Sequence, residues 1–391
     1  MSTLHFVYRR GPHLKTPQRI THELAKRLSS KFTLEVHDPG DPGVVEPAAG
    51  DILLGHPDRY GEASIFNRSF RQSGWAKRIV FCPFSYGMPL DAAAIDPLVE
   101  LADHYLALCG PYWTEGMECS PLSHWHYKTM RCDLGIEPAD YPRTKFGFNP
   151  PRKRRFVYVG NAGPMKGVDY FCDLADANPD LSFHWIGATG DRMRPSGTLR
   201  REYARLERRM LSGRIVHHGW ADWSNSFCRT LLGQFDFLLA CGRSDSNPTT
   251  VLEATAIGLL PVATPQCGFP ADGWIPNIPL DDVAAASAIL HGLNKCPESE
   301  LLAWHAKADT CMRATYNWDR VTQQVIDCIV APVPRPPSDP AWLGRKAQNQ
   351  RQLRGMVRKY RCKQAVEDAL HGVETFTRLA LKRARLPNAG A

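Results

Sequence analysis

The 391-residue sequence lacks long apolar runs and paired cysteines. No stretch of about 18 uninterrupted apolar residues occurs, so we expect no helix that spans a membrane. The twelve cysteines are scattered singly, without a Cys-x-x-Cys pair, whereas zinc sites and disulfide frameworks need clustered or paired thiols. We therefore expect a reduced, cytoplasmic chain. The first ten residues hold too short an apolar run for a signal peptide, and they are interpreted as a strand.

Net positive charge is missing from most of the chain and concentrated at its end. The net charge is +8, but the residues from Ala341 onward hold twelve Lys or Arg against three acids. The body of the chain is therefore close to neutral, which argues against a nucleic-acid partner. Three interpretations of the basic tail stay open: a helix packed across the first domain, peripheral contact with an anionic membrane at its inner face, or a solvated extension.

Short β-rich runs alternate with helical patterns twice along the chain. In the first half, strands are predicted at 4–8, 33–36, 51–54, 78–81 and 105–108, with a helix from Pro17 whose apolar face is Ile20, Leu24 and Leu28. In the second half, strands are predicted at 156–160, 182–187, 214–219, 236–240 and 260–264, with a charged helix at 198–211. Because nearly continuous apolar strands are typical of parallel sheets covered on both faces, we predict an α/β protein with two Rossmann-like, doubly wound domains facing a central cleft.

Proline-rich segments divide the chain. We predict an N-terminal acceptor domain at 1–148, a linker at 149–155, a C-terminal donor domain at 156–331, and a proline-rich break followed by a basic helical tail at 332–391. Two domains agree with a length beyond what one core usually serves. Since ligands of such sheets bind beyond the carboxyl ends of the strands, the cleft between the domains is the expected site.

The segment DSNPTTVLEATAIGLLPVAT, which begins at Asp245, combines a helix start with two carboxylates. Asn247 is predicted as the helix N-cap and Pro248 as the first helical residue. The helix is expected to end near Gly258, and Asp245 and Glu253 lie on either side of its start.

The start of this helix predicts an anion site. The N–H groups of Thr249 and Thr250 have no partner within the helix and would face a phosphate. The flanking carboxylates Asp245 and Glu253 would accept hydrogen bonds from the hydroxyls of a sugar and a ribose.

This run resembles the E-x7-E signature of the family-4 retaining glycosyltransferases (glycosyl transferases group 1), usually written E-G-x-P-x-x-x-x-E-A-x-A-x-G-x-P-V. The matching positions are Pro248, Glu253, Ala254, Ala256 and Gly258. Asp245 stands where the family usually has Glu. The resemblance implies the GT-B fold, with Asp245 facing the donor sugar and Glu253 the ribose.

A second motif, VGNAGPMKG, directly follows the first strand of the second half. It is similar to the family's strand–G-R-x-x-x-x-K-G turn, in which Gly160 permits a tight turn. The resemblance implies that Lys166 neutralises the departing diphosphate. Asn161 replaces the family's Arg, so this neutralisation would depend on Lys166, the helix dipole and Arg243. By the same resemblance, Gly268 approaches the donor.

The remaining candidate residues rest on weaker matches to the family. In the first half the resemblance suggests four acceptor-side residues, which are Gly11, His56, Ser85 and Tyr86. His56 is equally well explained as an ordinary loop histidine. His218 or Trp220 would lie near the nucleotide base, and a structural role is at least as good an explanation of either. No catalytic base is assigned, because in the family the leaving phosphate can take the acceptor proton.

The resemblance implies a retaining transferase that moves a sugar from a nucleotide-sugar donor to a glycan, lipid-linked or other acceptor, as in polysaccharide biosynthesis. No metal or other cofactor is expected, since the Asp-x-Asp motif of metal-dependent glycosyltransferases is missing. Two alternatives remain: a related GT-B enzyme such as an epimerase or a glycan synthase, and a degenerate protein that binds a nucleotide sugar without turnover. A dinucleotide-dependent oxidoreductase is disfavoured, because no Gly-x-Gly-x-x-Gly follows either first strand.

Overall fold

The computed structural model describes residues 2–11, 16–57, 64–85, 89–188, 198–220, 225–271 and 273–384, and it contains two parallel β-sheets. The first has the strand order β2-β1-β3-β4-β5-β6. Its strands are β1 Thr3–Val7, β2 Thr33–His37, β3 Ile52–Gly55, β4 Lys77–Pro83, β5 His104–Leu108 and β6 Thr129–Cys132. The second has the order β11-β10-β7-β8-β9. Its strands are β7 Arg155–Val159, β8 Ser182–Ile186, β9 Ile215–His217, β10 Phe237–Ala240 and β11 Leu260–Ala263.

Helices connect the strands and cover the sheets. Those that precede β7 are α1 Thr16–Leu28, α2 Ile65–Phe70, α3 Pro89–Leu101 and α4 Pro111–Glu115. Those that follow it are α5 Val168–Ala177, α6 Thr198–Leu211, α7 Ser226–Leu232, α8 Thr249–Ile257, α9 Val283–Lys295, α10 Glu298–Thr315, α11 Trp318–Val330 and α12 Pro340–Ala384. The two sheets confirm the predicted pair of Rossmann-like domains, and each of the ten predicted strands overlaps an observed one.

Core residues lie on both faces of each sheet, which explains the continuous apolar character of the central strands. In the first domain one core contains Phe6 and Phe81 on the α1 side, and another contains Val80 on the opposite side. In the second domain the core is built around Phe156 and Trp185. The short strand β6 was not predicted, because its sequence TMRC is partly polar and only its last residue is fully buried.

The chain returns to the first domain after the second sheet. Trp318 and Val325 of α11 pack in the same core as Phe6 of β1. The two crossing segments run side by side: Ile136 forms a parallel bridge with Asn317, and its N–H donates to the Tyr316 carbonyl at 2.9 Å. The second domain is thus joined to the first by two adjacent strands of backbone.

The first part of α12 also lies on the first domain. Leu353 is buried in its core, Asn349 Nδ2 donates to Ser123 Oγ at 2.6 Å, and Lys346 pairs with Glu100. Among the described residues, no helix is both long enough and apolar enough to cross a membrane.

The segment before β7 is fixed to the second domain. Lys145 Nζ is 3.1 Å from an oxygen of the buried Asp236, and the N–H of Asn149 donates to the same oxygen at 2.8 Å. Arg154 is buried as well. The residue boundaries predicted for the domains and the linker stay predictions.

Candidate active site

A cleft of about 830 Å³ lies between the two sheets, beyond the carboxyl ends of their strands. The first domain contributes residues of the first turn of α1, Thr16 and Arg19. Of the residues predicted to bind the donor or act on it, the cleft is lined by Gly160, Asn161, Lys166, Asp245, Thr249, Thr250 and Glu253. Two sequence motifs about 80 residues apart therefore meet in one space.

Helix α8 begins at the cleft, and no side chain among the described residues caps its first N–H groups. The helix ends before Gly258 as predicted, but the prediction that Asn247 is the N-cap and Pro248 the first helical residue is wrong by one position. Pro248 is extended, with φ −66° and ψ 121°, so Pro248 itself is the last residue before the helix. Thr249 and Thr250 follow it and line the cleft, and such an uncapped helix start favours an anion.

Asn247 lies beneath this helix start and does not line the cleft. It is 4% exposed, and neither its amide nitrogen nor its amide oxygen has a hydrogen-bond partner among the described residues. Gly110 of the first domain lies close to it, since a Cβ atom at Gly110 would be 3.1 Å from Asn247 Nδ2.

Glu253 faces the cleft from the second turn of α8. The hydroxyl of Tyr141 donates to Glu253 Oε1 at 3.0 Å. Burial raises the pKa of Glu253 to about 7, although the Tyr141 hydrogen bond and the nearby charge of Arg19 act in the opposite direction. A carboxyl group poised near neutrality in a cleft is typical of a functional site.

Arg19 and Tyr141 were missed by the sequence analysis. The guanidinium of Arg19 lies 5.3 Å from the centre of the Tyr141 ring and pairs with Asp140 at 2.8 Å. Both residues line the cleft. They belong to no motif, and only the tertiary fold brings them to Glu253.

Lys166 and Asp245 form an ion pair in the cleft. Burial opposes the charge of Lys166, but the neighbouring carboxylate outweighs it and raises the pKa of the ammonium group. Gly167 caps α5 with φ 68°, and a Cβ atom there would lie 1.8 Å from the Cys241 carbonyl oxygen. Glycine is thus required for the turn to bring Lys166 beside the end of β10.

The other residues expected near the phosphate have different surroundings from Lys166. Gly160 has φ 146°, and the carbonyl of Asn161 accepts a hydrogen bond from the Tyr158 hydroxyl at 3.2 Å. Arg243 does not line the cleft. Its guanidinium instead pairs with Asp169 and Asp281 at 2.7 and 2.6 Å.

Loops of the first domain contact the second domain beside the cleft. The indole N–H of Trp113 donates to the Asp245 carbonyl at 2.7 Å, and the N–H of Gly110 donates to the Ser246 carbonyl at 2.8 Å. Gly268 adopts φ 85°, and its carbonyl oxygen lies 1.7 Å from where a Cβ atom on Gly110 would stand. Gly268 therefore lies in the contact between the domains and does not line the cleft.

The acceptor-side candidates fall in several places. His56 and Ser85 line a separate small cavity of about 50 Å³. His56 Nδ1 lies 2.7 Å from the Pro57 carbonyl, and Ser85 Oγ lies 2.6 Å from Ser244 Oγ of the second domain. Gly11 is exposed. Tyr86 lies outside the described residues.

Of the two residues proposed to lie near the nucleotide base, one lines the cleft and the other does not. Trp220 is exposed and lines the cleft. His218 does not line it, and its Nε2 lies 3.0 Å from Nδ1 of His184. Burial and the neighbouring His218 lower the pKa of His184 to about 4.

Comparisons with known proteins agree with this architecture. Residues 153–294 match the family model described as glycosyl transferases group 1. Sucrose-phosphate synthase from Thermosynechococcus elongatus is 13% identical over 84% of this chain and 98% of its own, with a TM-score of 0.60. The catalytic domain of starch synthase IV from Arabidopsis thaliana, bound to ADP and acarbose, is 12% identical over 84% and 98%, also with a TM-score of 0.60.

A third similar structure is the E. coli protein described as trehalose-6-phosphate bound with UDP-2-fluoro glucose. It is 12% identical over 85% of this chain and 100% of its own, with a TM-score of 0.63. No curated protein sequence matches the chain. The family match and the shared fold confirm the predicted resemblance to group 1 glycosyltransferases and the GT-B architecture.

Proposed function

We propose that this chain is a retaining glycosyltransferase that transfers a hexosyl group from a nucleotide-sugar donor to a glycan, lipid-linked or other acceptor without a metal ion. The observation that carries the proposal is the meeting of Lys166, Asp245, Glu253 and the start of α8 in one cleft. A cation, an uncapped helix start and two carboxylates are the groups that a diphosphate carrying a sugar and a ribose requires.

The second domain would hold the nucleotide. In this proposal the ionised Glu253 accepts hydrogen bonds from the ribose hydroxyls, while the N–H groups at Thr249 and Thr250 face the diphosphate. Two similar structures carry nucleotide ligands, UDP-2-fluoro glucose in one and ADP in the other. Their overall likeness to this chain makes a nucleotide sugar the first ligand to test.

The transfer would exchange one bond at the anomeric carbon for another on the same face of the sugar. The acceptor oxygen bonds to this carbon as the bond to the diphosphate oxygen breaks, and the acceptor proton passes to the departing phosphate. Lys166 would stabilise the negative charge that develops on the diphosphate. Asp245 would accept a hydrogen bond from the donor sugar and orient it.

Contact of the basic tail with an anionic membrane stays a prediction. The start of α12 already has a partner, since Lys346 and Asn349 bond to the first domain. Membrane contact would therefore involve the later part of the tail.

A donor screen tests the proposal. We would measure the thermal shift and the release of free nucleotide with UDP-, GDP-, ADP- and dTDP-sugars, comparing the wild type with Glu253→Ala. Lys153→Ala, a change at an exposed lysine outside the cleft, is the control. Stabilisation by one nucleotide class together with nucleotide release, both lost only in Glu253→Ala, is expected. Stabilisation without release, even with acceptors added, would contradict a transferase and favour binding without turnover.

A further inference from the structure

Three potential metal ligands converge on one face of the first sheet, outside the cleft. Strands β1 and β2 pair with His5 opposite Glu35, and the two-residue repeat of a strand puts His37 on the same face as Glu35. His5 Nδ1 lies 3.2 Å from His37 Nε2 and 3.3 Å from Glu35 Oε2, and the latter two atoms are 3.7 Å apart. None of these residues lines the cleft.

The size of this triangle fits a transition-metal ion. The point equidistant from the three atoms lies about 2.0 Å from each, which is close to zinc–nitrogen and zinc–carboxylate bond lengths of about 2.0–2.2 Å. Two imidazoles and one carboxylate are also a known zinc ligand set, with the fourth position left to water.

Asp51 contacts His5 at the ring nitrogen that faces away from the proposed ion. Its carboxylate accepts the backbone N–H groups of Thr3 and Ala48, each at 2.8 Å. His5 Nε2 lies 3.3 Å from Asp51 Oδ2, within hydrogen-bond distance of this carboxylate. A carboxylate that holds the distal nitrogen of a histidine is the usual support of a metal-bound imidazole.

The three converging atoms, two imidazole nitrogens and one carboxylate oxygen, are all potential metal ligands. A divalent ion placed between them would contact all three together.

From this geometry we propose that His5, Glu35 and His37 bind one divalent transition-metal ion of the zinc type. The ion would join the edge strand β2 to β1 and so stabilise the first domain. The site is separate from the proposed transfer chemistry, and its presence is consistent with metal-independent catalysis in the cleft.

A second cluster in the described part of the chain differs from the first, because its carboxylates already have hydrogen-bond donors or a cation as partners. Asp96, Glu100 and His124 also bring ligand atoms together. There, however, Asp96 accepts from His124 Nε2 at 2.9 Å and from the indole of Trp125 at 2.8 Å, and Glu100 pairs with Lys346. Donors already satisfy these carboxylates, so the same proposal is not made for them.

The competing arrangement at the first cluster is a hydrogen-bonded network in which His5 lies between Asp51 and Glu35. It needs no ion and predicts no metal uptake. Metal titration of the full chain distinguishes the two. The exposed thiols of Cys119 and Cys362 are alkylated first, because thiolates would also bind the metal.

Metal-stripped protein is then titrated with Co²⁺ and afterwards with Zn²⁺. The expected result is one equivalent of tetrahedral Co²⁺ without a thiolate charge-transfer band, its displacement by Zn²⁺, and a higher Tm with the metal. His37→Gln and Glu35→Gln should each weaken uptake by at least about tenfold. His126→Gln, at an exposed histidine that is 3.4 Å from Glu118, should bind as the wild type does.

Either of two results would overturn the proposal: no uptake by the wild type, or an unchanged cobalt spectrum in both ligand variants. The side chain of Glu35 is 58% exposed, so Glu35→Gln is expected to fold even if His37→Gln does not. Metal uptake and the cobalt spectrum do not depend on sugar transfer. Failure here is therefore distinguishable from failure of the proposed function.

Discussion

The hydroxyl of Tyr141 donates a hydrogen bond of 3.0 Å to the carboxyl group of Glu253, across 112 residues of sequence. Tyr141 lies between the two sheets in the chain, and Glu253 lies on α8 at the cleft. The contact thus ties the proposed nucleotide-binding carboxylate to the segment through which the chain enters the second domain. Because it bears on whether Glu253 is ionised, it makes the pH dependence of the site testable.

Donor affinity should rise with pH through about 7, the raised pKa of Glu253. Below this pH the group is largely a neutral acid and accepts ribose hydroxyls poorly, whereas above it the carboxylate accepts them well. Nucleotide Kd measured by calorimetry from pH 5.5 to 8.5 checks this. Glu253→Gln should bind weakly and without the step. An unchanged step in that variant would assign the titration to another group.

Fold stability should respond to the same group in the opposite direction. Its folded pKa of about 7 exceeds the ordinary value of 4.5, so the neutral form stabilises the fold. This contribution is complete below 4.5 and is lost as the pH rises through about 7. Urea unfolding across this window should show wild-type stability falling relative to Glu253→Gln. A constant difference between the two would mean that burial does not shift Glu253.

Tyr141→Phe should move the step in donor affinity to higher pH. The hydrogen bond from Tyr141 holds down the pKa of Glu253, so its loss leaves the acid harder to ionise. At pH 7 we expect nucleotide affinity to fall by about tenfold, the usual effect of losing a hydrogen bond to a charged group. Tyr127→Phe, at a tyrosine that packs against Trp342, is the control. Equal pH profiles for both variants would show that Tyr141 has only a packing role.

Lys166→Ala should reduce kcat by about 10²–10³-fold, as the removal of one transition-state donor usually does. Its side chain is 48% exposed, so the ion pair with Asp245 adds little to stability and Tm should change by no more than a few degrees. Steady-state kinetics with the donor found in the screen, beside Lys153→Ala, gives the comparison. Near-normal kcat in Lys166→Ala would remove Lys166 from the proposed chemistry.

Gly110→Ala should separate the two domains. A Cβ atom at Gly110 would lie 1.7 Å from the Gly268 carbonyl oxygen, and backbone on both sides leaves no flexible side chain to move away. We expect loss of turnover and a larger radius of gyration in solution scattering, with the secondary structure retained. Gly292→Ala is the control, since a Cβ atom there meets nothing within 4 Å. Unchanged scattering and turnover in Gly110→Ala would show that catalysis does not need this contact.

Sugar transfer should survive exhaustive chelation. In the proposed site the diphosphate charge is met by Lys166 and the start of α8, so EDTA should leave kcat unchanged within error. A metal-dependent glycosyltransferase assayed in parallel verifies the chelation. Loss of activity that Mg²⁺ or Mn²⁺ restores would contradict the metal-independent mechanism.

The sequence predicted those parts of the site that local chemistry determines. Helix α8 begins one residue after its predicted start and ends before Gly258 as predicted, because Pro248 and Gly258 are local start and stop signals. The cap itself was mistaken: Asn247 is a good capping residue by type, but the extended backbone of Pro248 ends the non-helical segment one residue later. The distinction depends on a single ψ angle, which composition does not reveal.

Residues that reach the site only through tertiary contacts could not be predicted from local sequence motifs. Arg19 and Tyr141 come from different elements and meet Glu253 only when the domains assemble. Arg243 illustrates the opposite error. Its position in the chain suggested a phosphate contact, whereas in the fold it pairs with Asp169 and Asp281. The sequence shows that a cation lies close to the motif along the chain, but not which carboxylate it pairs with in the fold.

The bridge between Ile136 and Asn317 affects how the molecule can move. The second domain is inserted within the first, entering and leaving through two adjacent segments joined to each other by a hydrogen bond. Two connections of this kind permit hinge opening about the axis through both segments. They resist the rotation of one domain against the other that a single connection would allow. Cutting the chain near residue 317 would therefore release a rotation that the intact protein lacks, while both sheets keep their strands.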